Sequence, residues 1–178
     1  LSIPVMHDDQ HGTAIISAAA LINALEIVGK DISKAQIVVN GAGAAAISCT
    51  RLYVALGADP KNIVMCDSKG VIRKDAPNLT EQKAEFATDR DLRTLEEAVK
   101  GSDVFIGLSK GNVLTPEMLL SMNKDAIVFA IFTSISGIYA DRIGRRKFLL
   151  WVTFAMGIFG LAMPLFLSNG TPMSVFFF

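Results

Sequence analysis

The chain has 178 residues, enough for one domain with a true core or one domain with a short appendage, and it carries 17 basic against 17 acidic side chains. That balance leaves no basic footprint for a nucleic-acid partner, and Cys49 and Cys66, which lack CxxC or CxH spacing, exclude a cysteine-based zinc site and read as small buried hydrophobes of a reducing compartment. The average conceals a break: residues 1–130 hold 13 Lys and Arg against 16 Asp and Glu, whereas 131–178 hold Arg142, Arg145, Arg146 and Lys147 against Asp141 alone, with eight of the eleven phenylalanines.

In chain order, Leu1 opens within what reads as a strand or loop, without a basic n-region and short apolar core, so no secretory leader is expected and the chain reads as a piece of something longer. After the polar cluster from His7 to Gly12, Thr13 to Val28 reads as a mostly buried helix ended by Gly29. Ala35 to Val39 reads as a buried parallel strand, Ala44 to Leu56 as a helix ended by Gly57, and Ile63 to Cys66 as a second strand closing on Asp67, which together make one βαβ unit. Leu92 to Val99 predicts a helix, Val104 to Leu108 a third strand, Thr115 to Met122 a helix, and Ile127 to Ala130 a fourth strand. Alternation of this kind predicts an α/β fold with a Rossmann-like, doubly wound parallel sheet. Beyond Ala130 the pattern stops, and the 20 uncharged residues 148–167 form a transmembrane-type helix candidate of about bilayer length.

Gly41, Ala42, Gly43 and Ala46 form a GxGxxA turn directly between a predicted strand and a predicted helix, the context that turns a weak pattern into a dinucleotide site. Gly41 permits the tight turn, Gly43 leaves room for a pyrophosphate, Ala46 allows close helix packing, and the amides at the helix start hold phosphate. Asp67, 26 residues after Gly41, is placed to accept from a ribose hydroxyl, although the usual spacing is about 20. Its carboxylate argues for NAD, while Ser68 and Lys69 beside it argue for the 2′-phosphate of NADP, so composition leaves the cofactor open. Asp8 and Asp9 sit just before the first predicted helix and have two readings: caps that favour the helix dipole, or oxygen ligands of a hard divalent cation. His7 and His11 lack zinc-type spacing and read as supporting or structural.

Four blocks, IPVMHDDQHGTA, IVVNGAGAAA, NIVMCDSKGVI and SDVFIGLSKGNVLTPEML, resemble in order the NAD(P)-binding domain of malic enzymes, most closely the large bacterial forms that mostly use NADP. The resemblance implies oxidative decarboxylation of malate to pyruvate and CO2 with NADP or NAD, and Mg or Mn holding the substrate in an oligomeric cytoplasmic enzyme. By position it implies that Asp9 is a metal ligand and Asp8 its catalytic-site neighbour. Gly41, Ala42, Gly43, Ala46, Asp67, Ser68, Lys69 and Ser109 would line the dinucleotide. The chain departs from the family in lacking the upstream domain that carries the Tyr and Lys acid–base pair and two further acidic ligands. It departs again where the family continues with Leu-Ala-Asn-Pro and Ile131, Phe132, Thr133 and Ser134 stand instead. No malic enzyme activity is therefore expected of this chain alone.

Gly137, Asp141, Arg142, Gly144, Arg145, Arg146 and Lys147 resemble the GxxxDRxGRR[KR] loop of major facilitator transporters, of the metabolite and proton symporter type, with basic residues before Phe148 on the cytoplasmic side. The expected organisation is thus a partial malic-enzyme-like domain over 1–130, cytoplasmic, and a partial transporter-like segment over 131–178, with membrane contact through 148–167. A tethered dinucleotide module and a transporter fragment are the alternatives. The first reading is preferred because the junction at Ala130/Ile131 interrupts both partners in mid-fold, where a working fusion would use an exposed polar linker.

Overall fold

The computed structural model describes residues 6–76, 79–109 and 113–130; the expected transporter-like loop and the 148–167 span lie outside the described residues. Five strands form one sheet in the order β3-β2-β1-β4-β5. The central strand β1 (Ile37–Asn40) pairs in parallel with β2 (Ile63–Asp67) on one edge and with β4 (Val104–Gly107) on the other, and β4 pairs in parallel with β5 (Ile127–Ala130). All four residues of β1 are buried, as expected of a β-branched strand covered on both faces. The sheet is mixed rather than wholly parallel: β3 (Gly70–Val71) runs back antiparallel along β2, with Asp67 opposite Gly70. Two residues are too short a run for an alternation to announce. Gly70 is required there, because its φ is +113° and an added Cβ would collide with the carbonyl oxygen of Arg93.

Alternate strand residues feed two cores. Ile37, Val39, Ile63, Met65, Val104 and Ile106 face α1 (Asp8–Val28) and α2 (Ala44–Ala55), while Val38, Val64, Cys66 and Phe105 face α4 (Leu95–Val99) and the region of α5 (Pro116–Ser121). A third short helix, α3 (Glu81–Ala84), begins at Thr80, whose hydroxyl accepts from the Lys83 amide. The result is helices on both faces of one sheet. α1 is long and apolar enough by composition to cross a membrane. It is buried along one face and not mostly buried as its composition predicts: Ala14, Ala18, Leu21 and Leu25 pack into the first core, while Ile15, Ile16, Ile22 and Ile27 stand exposed on its outer side.

Helix starts shift from their sequence expectations where caps decide them. α1 begins at Asp8 and not at Thr13, so the two acids occupy its first turn instead of preceding it, with His7 as N-cap. It ends at Gly29 in the left-handed conformation, φ 69°, as expected. α4 is shorter than its apolar pattern, because Thr94 and Glu97 form a capping box that fixes the start at Leu95.

At the N-terminal end of the strands, Asp103 ties three elements together. Its carboxylate accepts from the Gln36 amide at 2.9 Å, from Lys30 Nζ at 2.9 Å and from Asn123 Nδ2 at 3.0 Å. Partial burial pushes this carboxyl up, but the bonds from Gln36, Lys30 and Asn123 outweigh burial and hold it below the usual aspartate value. A lowered folded-state pKa contributes stability that is complete above the unfolded value and is lost as pH falls through the folded one. Asp103→Ala is therefore expected to cost about 2–4 kcal/mol at neutral pH and to flatten the loss of stability below about pH 4; chemical denaturation across pH checks both.

Candidate functional site

The glycine turn is built by the exit of β1. Gly41 has φ +141°, and a Cβ there would lie 3.1 Å from the Leu108 carbonyl oxygen and 3.2 Å from the Leu108 Cβ, so both backbone angle and close approach demand glycine. Its amide still donates to the Cys66 carbonyl at 2.8 Å, which keeps the turn in register with β2. Gly43 is the N-cap of α2, with φ −83°, no side-chain cap and no acidic residue in the first turn. A Cβ at Gly43 would meet nothing within 4 Å. The helix start thus faces open space with its first amides and the positive end of its dipole uncompensated, which is the arrangement an anionic phosphate fits. Ala46, 1% exposed, packs α2 on the sheet, and Ala42 lies against the same core.

Asp67 ends β2 on the same side of the sheet as the glycine turn. Its two oxygens are already engaged. Oδ1 accepts from the Lys69 amide at 2.8 Å, and Oδ2 accepts from Lys83 Nζ at 2.6 Å. Burial raises this carboxyl, but the Lys83 hydrogen bond, the Lys69 amide and the charges of both lysines bring it below the usual aspartate value. The contact of Lys83 with Asp67 was not legible, because Lys83 lies 16 positions downstream on α3 and no local spacing links the two. Ser68 and Lys69 form the turn between β2 and β3.

Ser109 follows β4 and is brought beside the glycine turn by the β1–β4 pairing; Asn40 Nδ2 donates to its Oγ at 3.0 Å. Asp8 does not join this group: among the described residues no hydrogen bond or ion pair links it to the glycine turn. Asp8 is exposed at the start of α1, and its carboxylate folds against Gly12, where an added Cβ would collide with Oδ1. Among the described residues no three of His, Cys, Asp and Glu converge as a metal site. The residues present therefore do not by themselves fit the Mg or Mn site that the sequence resemblance implies.

Both cysteines are buried, as their composition suggested, and burial pushes the Cys66 thiol up to about 12, with the Asp67 charge as a second cause. Burial keeps both thiols in the neutral form. A cleft of 240 Å³ lined by Gln36, Asn62, Arg90, Asp91, Glu97 and Lys100 lies at the opposite, N-terminal end of the strands and includes none of the candidate residues. In open α/β sheets ligands bind beyond the carboxyl ends, so the glycine turn and not this cleft is the candidate site.

Comparison with known proteins bears on what the site belongs to. The family model described as "Malic enzyme, NAD binding domain" matches residues 10–134, running past the Ala130/Ile131 junction. An NADP-dependent malic enzyme of Halomonas elongata is 50% identical over 140 residues, 79% of this chain and 33% of that enzyme. An NAD-dependent malic enzyme of Rhizobium meliloti is 48% identical over 132 residues, 74% of this chain and 17% of that enzyme. The crystal structure of an NAD-dependent malic enzyme from Thermotoga maritima superposes with a TM-score of 0.69 at 38% identity, covering 75% of this chain and 37% of that one. The chain thus spans a third or less of these two curated relatives.

Because a methyl group at position 43 would meet no atom, Gly43→Ala is expected to cost the unliganded fold no more than about 1 kcal/mol. The same methyl occupies the space that a phosphate needs, and dinucleotide affinity is expected to fall at least about tenfold. Thermal melting checks the first and calorimetric titration the second.

Proposed function

Because the chain belongs to the malic enzyme family through the NAD-binding domain that residues 10–134 match, we propose that it binds NADP in preference to NAD and supplies the dinucleotide half of a malate-decarboxylating site. The observation that carries the cofactor choice is the 2.6 Å ion pair of Lys83 with Asp67. A bare carboxylate at this strand end would accept from the ribose diol of NAD and repel a 2′-phosphate. With Lys83 and the Lys69 amide each donating to one of its oxygens, Asp67 is held in an ion pair and offers a diol fewer acceptor sites, and the two lysines outnumber the one acid. Ser68, Lys69 and Lys83 then suit a 2′-phosphate, the lysines as mobile point charges. At the other end, Gly41, Ala42 and Gly43 with the start of α2 suit the pyrophosphate, Ala46 keeps the helix close to the sheet, and Ser109 faces the crevice between β1 and β4.

When bound, the nicotinamide supplies the hydride acceptor for oxidation of malate, whose decarboxylation yields pyruvate and CO2. In this reading Asp9 would supply one oxygen ligand to Mg or Mn and Asp8 would be its neighbour on the substrate side, with the other ligands coming from elsewhere. The remaining ligands and the acid–base pair are not among the residues of this chain, so it is assigned no turnover by itself. The domain is assigned to the cytoplasm, and to an oligomer in the complete enzyme.

We further infer that the expected segment 131–178, most of it beyond the malic-enzyme match that ends at residue 134, derives from a major facilitator transporter. The support is the charged loop from Gly137 to Lys147 followed by 20 uncharged residues. A long uncharged span in water favours association, so deleting residues 131–178 is expected to raise the soluble fraction; an equally insoluble shortened chain would place the cause in the domain itself.

Titration of NADP and NAD into the 178-residue chain tests the cofactor reading. Lys83→Ala is expected to weaken NADP by about ten- to a hundredfold, the worth of a charge-assisted contact, and NAD by less than about twofold. Equal losses for both would remove Lys83 from the 2′-phosphate. Malate, NADP and Mg are expected to give no NADPH, and measurable turnover would overturn the assignment of an incomplete site.

A further inference from the structure

The dinucleotide crevice lies between the carboxyl ends of β1 and β4, where strand order reverses, and one buried side chain joins its two walls. Asn40 is the last residue of β1 and is 5% exposed. Its carbonyl accepts from the Leu108 amide at 2.8 Å, and its side-chain Nδ2 donates to Ser109 Oγ at 3.0 Å. The next residue, Gly41, approaches Leu108 closely enough to exclude any side chain. The glycine turn and the loop leaving β4 are therefore held as one unit, and the only side-chain hydrogen bond between them among the described residues is that of Asn40.

We propose that Asn40 is a positioning residue for dinucleotide binding, acting through Ser109. Resting on the dinucleotide reading above, it adds a residue that touches no ligand. An amide donating to Oγ makes the serine hydroxyl an acceptor on its inner side, so its own proton is free only on the outer side. Ser109 itself is exposed, beside the glycine turn. The proton is thereby presented to an acceptor oxygen of the dinucleotide, a phosphate or ribose oxygen, with the rotamer already ordered before binding. The backbone bond from Leu108 to the Asn40 carbonyl secures the strand pairing whatever side chain stands at 40, so the amide is free to serve the hydroxyl.

The test is a double-mutant cycle on the full 178-residue chain, with the dissociation constant of NADP read by calorimetry and the melting temperature of each unliganded protein. Asn40→Ala and Ser109→Ala are each expected to weaken binding about five- to tenfold, and the double variant to bind no more weakly than either alone. Asn40→Asp keeps the volume but replaces the donor by an acceptor, which draws the Ser109 proton inward and adds a negative charge. It is expected to fold and to bind more weakly than Ser109→Ala. Additive losses, or Asn40 variants with a lowered melting temperature and an unchanged dissociation constant, would overturn the proposal, as would wild-type affinity in Asn40→Asp. Those results leave dinucleotide binding itself intact, whereas a wild-type chain that binds neither NADP nor NAD overturns both readings together.

Discussion

β1 is hydrogen-bonded in parallel along both edges, to β2 and to β4, over all four of its residues, and that double pairing places the glycine turn, Asp67 and Ser109 at one end of the sheet. A strand covered on both faces and paired on both edges has no freedom to slip register, since a shift of one residue would turn Ile37 and Val39 toward the wrong core. The register is held from its two ends by different means. At the N-terminal end, Asp103 fastens the entry of β4 to Gln36 and Lys30 with charged hydrogen bonds. At the C-terminal end the fastening is steric and polar, through Gly41 against Leu108 and Asn40 against Ser109. The first end carries stability; the second carries the crevice.

The same pairing brings the electrostatics of the ribose end into place. Asp67 alone would direct the site toward a diol, and the short antiparallel return of β3 and the chain that follows it bring Lys83 back onto the carboxylate. A partly buried pair of this kind holds the carboxylate ionised and offsets its repulsion of an incoming phosphate. The cofactor reading therefore depends on an ion pair across α3 and β2 and not on the acid that ends the strand. Among the relatives, one at 50% identity is NADP-dependent and one at 48% is NAD-dependent, so overall similarity does not separate the two and the local charge arrangement must.

Malic enzyme membership and malic enzyme activity are separate matters for this chain. The domain brings the glycine turn, Asp67 and Ser109 to the carboxyl end of its sheet, while Asp8 stands exposed at the start of α1 and among the described residues no metal-ligating group converges on it. Substrate chemistry at a cation needs several oxygen donors on one point, and the described residues do not bring such a group together. The domain is thus equipped to bind and orient, which is why dinucleotide affinity and not turnover is its natural measure.

Much of this was legible in the order of residues. The β-branched run ending at Gly41, the GxGxxA spacing and the alternation of strand and helix determine a doubly wound α/β domain and its glycine turn, because they act through local geometry that each segment carries with it. The buried cysteines and the left-handed stop at Gly29 follow from the same local rules. The start of α1 at Asp8, the antiparallel strand at Gly70 and the short α4 were not legible. A cap, a two-residue return and a capping box are decided by single hydrogen bonds that periodicity does not contain. The partners of Asp67, Asp103 and Asn40 were hidden for a different reason: each bonds across 16 to 73 residues of chain. Sequence by itself determined what kind of domain this is and where its glycine turn lies; only the tertiary structure decided which charge sits on Asp67 and which side chain holds Ser109, because those contacts exist only once separate strands and helices have been packed side by side.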